Sequence, residues 1–138
     1  MKANEAFVDT SVILRILIHD DEDKAKNAIK LIKNSKRNGL NLHILPVALI
    51  ETVFVLEKIY KLPKAEIKEL TESILNTPEF HCEMEDVFRK AILIYADRNI
   101  KFGDALMSCW GLKKGISVVY TYDNKDFKRV EGIFPINP

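Results

Sequence analysis

The stretch Ala6-Phe7-Val8-Asp9-Thr10-Ser11-Val12-Ile13-Leu14 decides the fold. Its first three residues read as a short buried strand, and Thr10 to Leu14 then opens a helix whose cap is a hydroxyl or a carboxylate. Asp9 therefore falls at the carboxyl end of a strand. Working outward, the acidic stretch Asp20 to Asp23 starts a second helix, with Ala25, Ala28, Ile29 and Ile32 at core spacing, and Asn38-Gly39 stops it. Asn41 to Leu45 reads as another strand, Pro46 opens the next helix, and Pro63 opens one carrying Ile67, Leu70, Ile74 and Leu75. Glu79 to Glu83 reads as a short strand, Val87 to Tyr95 as a helix, and Gly103-Asp104 begins a further helix that Gly115 closes. Ile116 to Thr121 is strongly β-forming and runs into the loop Tyr122 to Asp126.

Strands alternating with helices indicate an α/β domain with a mainly parallel sheet and helices on both faces. At 138 residues the chain fits one domain, 1–138, and no repeat or linker divides it. A composition 47% hydrophobic and 30% charged, with few Gly and Pro, excludes a disordered or fibrous chain. The formal net charge of +1 means that nucleic-acid contact must come from local patches. Cys82 and Cys109 lack metal-ligand spacing, and the start at Met1-Lys2-Ala3 runs straight into a strand, so a reduced, cytoplasmic setting is expected. No window of about 20 apolar residues suggests a membrane span.

Four acids stand out: Asp9, Glu51, Asp104 and Asp123. Asp9 and Asp123 follow strands, where open α/β sheets collect ligands, and Asp104 lies in the first turn of a helix. Glu51 is the odd one. On a helix its surface neighbours are Val47, Ala48, Phe54 and Val55, so a water-poor setting and a cationic partner are expected. Each acid taken singly has an ordinary post as a cap, a turn residue or half of an ion pair. Taken together, four converging carboxylates would repel one another, and a divalent cation offsets that repulsion. Oxygen-only ligation favours Mg²⁺ or Mn²⁺.

Such a site suits phosphodiester hydrolysis through a metal-activated water. His19, His43 and His81 are scattered along the sequence, with no Ser or Cys pairing, and the five glycines form no phosphate-binding loop.

These residues resemble the PIN-domain nucleases, including the VapC-type toxins of toxin–antitoxin pairs. The resemblance covers nearly the whole chain. It rests on Phe7-Val8-Asp9-Thr10-Ser11, Glu51 in its apolar helix, Gly103-Asp104-Ala105-Leu106, and Thr121-Tyr122-Asp123 with Phe127 downstream. It implies a three-layer α/β/α sandwich and a Mg²⁺- or Mn²⁺-dependent endoribonuclease leaving a 5′-phosphate and a 3′-hydroxyl. It also implies Asp9, Glu51 and Asp104 as catalytic metal ligands. The fourth ligand is Asp123 or Asp126, and Asp123 is favoured because Thr121 can brace its loop. Thr10 and Ser11 are supporting residues. A protein antitoxin and a homodimer are the partners implied, beside the RNA substrate, and the stripe Ile67, Leu70, Ile74 and Leu75 is compatible with a pairing surface.

Arg15, Lys101 and Lys125 are candidate RNA contacts, and Trp110 and Tyr120 read as core or rim aromatics. Two rivals stand beside the ribonuclease: a non-catalytic RNA- or protein-binding member of the fold, and an aspartyl-phosphate phosphatase or receiver. The phosphatase pattern expects an Asp where Ser11 stands.

Overall fold

A computed structural model of the chain describes residues 4–138, so the opening Met1-Lys2-Ala3 lies outside the described residues. Two compact units make up the chain. The first comprises the chain up to Leu62 together with Glu69–Glu83, and the second comprises Pro63–Lys68 and Met84–Pro138.

In the first unit the elements run β1 (Glu5–Phe7), α1 (Thr10–Leu17), α2 (Glu22–Ser35), β2 (Asn41–Ile44), α3 (Pro46–Lys58), part of α4 (Lys64–Leu75), and β3 (Phe80–Cys82). The strands form a parallel ladder in the order β1-β2-β3. Leu42 and Ile44 of β2 are buried, as are Ile13 of α1 and Leu49, Val53 and Leu56 of α3. Asp21 caps α2 by accepting from the Lys24 N–H, and Pro46 opens α3 at a position where its missing N–H costs nothing.

The second unit contains the start of α4, then α5 (Glu85–Arg98), α6 (Phe102–Lys113), β4 (Val118–Tyr120), one 3-10 turn (Phe127–Arg129) and β5 (Phe134–Ile136). β4 and β5 pair in parallel. Its core is aromatic: Phe88, Tyr95 and Phe102 are buried, with Phe102 stacked on Phe88 at 6.4 Å and edge-on to Tyr95 at 5.7 Å between ring centres. Lys64 Nζ stands 4.4 Å over the Tyr95 ring. Gly115 ends α6 with φ +76°, a left-handed conformation that a side chain would strain, while the Ile116 N–H reaches back to the Gly111 carbonyl at 2.8 Å.

The elements follow the sequence pattern closely, with two additions, the 3-10 turn and β5. β5 had no sequence signal, because Pro135 sits in its middle and proline is tolerated only where no ladder N–H is needed. The α4 stripe is a correction: Ile67, Ile74 and Leu75 are buried and Leu70 is half-buried, so these residues face the interior and do not offer a pairing surface.

Candidate active site

The chain leaves β1 at Phe7 and turns at Asp9, which has extended backbone angles and caps α1. Asp9 Oδ2 accepts from the Ser11 hydroxyl at 2.6 Å and from the Ser11 N–H at 3.1 Å. These bonds, the hydroxyl's first, hold the Asp9 carboxyl below its ordinary range, so it stands ionised. Ser11 thereby fixes the direction of the carboxylate. Thr10, the buried residue between Asp9 and Ser11, donates from Oγ1 to Glu51 Oε2 at 3.0 Å, and the Ala48 carbonyl lies 3.5 Å from the same hydroxyl. The residue after Asp9 thus ties Glu51 of α3 to the start of α1.

The expected setting of Glu51 needs correction. Glu51 is exposed, and so are its neighbours Val47 and Phe54, at 57% and 44%. Helix α3 is apolar nearly all round, so sequence neighbours do not define a buried face. Among the described residues its hydrogen-bond partner is the Thr10 hydroxyl.

In the second unit Asp104 occupies the first turn of α6 and is half-buried. Burial pushes its carboxyl above the ordinary range, and the negative charge of Asp126 adds to the shift; Lys101 opposes it, and Asp123 reinforces it. Asp126 is 8% exposed and accepts from the Lys101 backbone N–H at 3.0 Å, with Arg129 Nη1 at 3.9 Å. Asp123 is exposed, and its Oδ2 lies 3.1 Å from Lys101 Nζ. Thr121 braces that loop as expected: its Oγ1 accepts from the Asp123 N–H at 2.9 Å and donates to the Asp123 carbonyl at 3.1 Å. Asp123 thus pairs with the Lys101 ammonium and Asp126 has Arg129 nearby, while Asp104 is raised first by its burial and then by the charge of Asp126.

Among the described residues no three His, Cys, Asp or Glu side chains already stand as a ready ligand set for a metal. The donor chemistry nevertheless fits a hard divalent cation. Every donor is a carboxylate oxygen, the ligand type that Mg²⁺ and Mn²⁺ prefer.

Of the candidate RNA contacts, Arg15 is engaged by Asp20 at 2.6 Å, Lys101 by Asp123, and Lys125 is exposed. Trp110 is half-buried, but Tyr120 is 70% exposed and no core residue; with Tyr122 at 89% it leads out of β4 toward Asp123. The sequence pattern alone missed the burial of Asp126, since its partner N–H lies far along the chain.

The family profile of the PIN domain matches residues 6–133. The chain belongs to the PIN-domain family, and its fold is that family's α/β sandwich with parallel strands. Within the family it is of the VapC type: it is 32% identical over 131 residues to the VapC ribonuclease of Aquifex aeolicus (strain VF5), across 95% of each chain.

Proposed function

We propose that this protein is a Mg²⁺- or Mn²⁺-dependent endoribonuclease, a VapC-type toxin acting as one PIN-like domain over residues 1–138. The observation that carries the reading is the match to a VapC ribonuclease along nearly all of both chains. The oxygen-only donor set and the raised carboxyl of the half-buried Asp104 support it.

In this reading Asp9, Glu51, Asp104 and a fourth acid hold the metal. When bound, the metal supplies an activated water and stabilises charge on the leaving oxygen. Asp126 suits the fourth place better than Asp123: it is buried, oriented by the Lys101 N–H, and the stronger of the two in its effect on Asp104. Asp123 then acts through Lys101, holding the ammonium near the acids where it can meet an RNA phosphate. Ser11 and Thr10 aim Asp9 and Glu51.

Cleavage of RNA by the full chain is expected with Mn²⁺ or Mg²⁺ and is abolished by EDTA. EDTA-resistant cleavage, or full activity in folded Asp9→Asn, overturns the mechanism; RNA bound but uncut in saturating Mn²⁺ points to a binding module instead. A finer test addresses orientation. Thr10→Val removes the hydroxyl while keeping the shape, and cleavage is expected to fall about 10-fold or more, as on losing a partner that orients a metal ligand. The thermal midpoint should move little, and Thr10→Ser should restore the rate. Equal rates for Thr10→Val and the parent would show that Glu51 needs no such anchor.

The partners we assign are RNA, a protein antitoxin and a second copy of the chain, in a cytoplasmic setting. None of the described helices is long and apolar enough to cross a membrane. The groove between α1 and α2, lined by Ser11, Val12, Arg15, Ala28 and Leu31, begins two residues from Asp9 and is the surface we assign to the antitoxin.

A further inference from the structure

In the first unit, one side of the β1-β2-β3 ladder gathers Glu5, Asn41, His43 and His81, none of them among the acids above. Parallel register sets Glu5 beside Asn41 and His43 beside His81. Leu42 and Phe80, which alternate with them on their strands, point the other way and are buried. His43 Nε2 donates to Glu5 Oε2 at 2.7 Å, and Asn41 Nδ2 donates to Glu5 Oε1 at 3.2 Å. The His43 and His81 ring centres are 5.3 Å apart, with their planes inclined by 35°. The His43 and Glu5 side chains are 41% and 62% exposed, so solutes reach them from solvent.

We propose that Glu5, His43 and His81 form a binding site for a borderline transition-metal ion, with Zn²⁺ as the type case. Two imidazoles on one tetrahedral ion, each with Zn–N of about 2.0–2.1 Å, have ring centres roughly 5 Å apart. The pair already stands at that separation. A carboxylate oxygen and an imidazole nitrogen on the same ion lie roughly 3.3 Å apart, so exchanging the Glu5–His43 proton for the ion opens that contact by about half an ångström. The displaced Nε2 proton leaves to solvent, and the nitrogen lone pair goes to the metal. As they stand the three groups do not form a ligand set, and among the described residues no three His, Cys, Asp or Glu side chains do. Closing them takes side-chain torsions on an exposed surface, with no change in strand register.

Asn41 has the part of an orienting partner, fixing the carboxylate through its second oxygen. Imidazole ligation separates this site chemically from the all-carboxylate acids, which prefer harder ions. Each ligand comes from a different strand, so a bound ion fastens β1 to β2 and β2 to β3. Binding to the folded state alone then raises the thermal midpoint with metal concentration.

The experiment uses the full chain and Zn²⁺ alone, read by the ring signals of its three histidines in NMR and by thermal denaturation. The His43 and His81 signals should shift on titration while those of His19 stay in place, and the thermal midpoint should rise. His81→Ala and Glu5→Gln should each weaken Zn²⁺ binding about 10-fold or more and remove most of the thermal gain, because even outer partners of metal ligands contribute on that scale. In Asp104→Asn the histidine shifts should persist, which distinguishes this site from the acids. Histidine signals that do not respond to Zn²⁺, or equal affinity in the parent, His81→Ala and Glu5→Gln, overturn the proposal.

Discussion

Asp104→Asn is expected to lower RNA cleavage by about 100-fold or more while leaving the metal-free protein as stable as the parent, or slightly more so. The loss in rate follows from removing a proposed metal ligand, since orienting partners one shell further out already contribute about 10–100-fold. The effect on stability has the opposite sign. Burial and the charges of Asp126 and Asp123 raise the Asp104 carboxyl in the folded chain, so its ionised form works against folding at neutral pH. The amide keeps the shape and carries no charge, which relieves that opposition. A residue that only capped α6 would behave otherwise, losing stability and leaving the rate nearly alone. Single-turnover cleavage in Mn²⁺, with thermal denaturation in EDTA, separates the two. A folded Asp104→Asn that cuts within threefold of the parent removes Asp104 from the catalytic set.

Phe102→Ala should cost about 3–5 kcal/mol of stability, the usual range for deleting a large buried aromatic. Phe102 is 3% exposed, stacks on Phe88 and meets Tyr95 edge-on, so the truncation leaves a cavity and breaks two ring contacts together. It is also the first residue of α6, two before Asp104. Loosening it should therefore lower cleavage as well, but only in proportion to the disorder at the start of α6. Phe102→Leu should recover much of both losses. Urea midpoints measure the first effect, and an unchanged midpoint for Phe102→Ala would show that this aromatic cluster does not hold the second unit together.

The helices were legible because their signals are local. Capping acids at Asp9 and Asp21, prolines at 46 and 63, and Gly115 at a positive φ each act within a few residues. Asp9, Asp104 and Asp123 were chosen for their positions at element ends, Glu51 for its place inside an apolar helix, and all four for the family resemblance. What escaped depends on distant contacts. Asp126 reads as a loop acid until its carboxyl is seen to accept the Lys101 N–H, 25 residues away in sequence. Glu51 reads as isolated among apolar residues until Val47 and Phe54 prove exposed. The histidines that seemed scattered are another case: strand register sets His43 against His81, and no spacing rule within one strand foretells a register between two.

The ladders have a further consequence, for synthesis of the chain. Among the described residues every strand pair is parallel, so none can close as a local hairpin; the first pairing already joins Glu5 to Asn41 across 36 residues. Pairings of that span form slowly and late compared with helices. β1 must therefore wait unpaired while α1 and α2 emerge from the ribosome, and its neighbour's other edge stays open until β3 follows. For a nuclease made beside the RNA it would cut, that order has a protective side. A nascent or truncated chain ending before Phe80 lacks β3, Asp104 and Asp126 alike, so on the ligand assignment proposed above the metal-holding set is complete only once the last third of the chain is delivered.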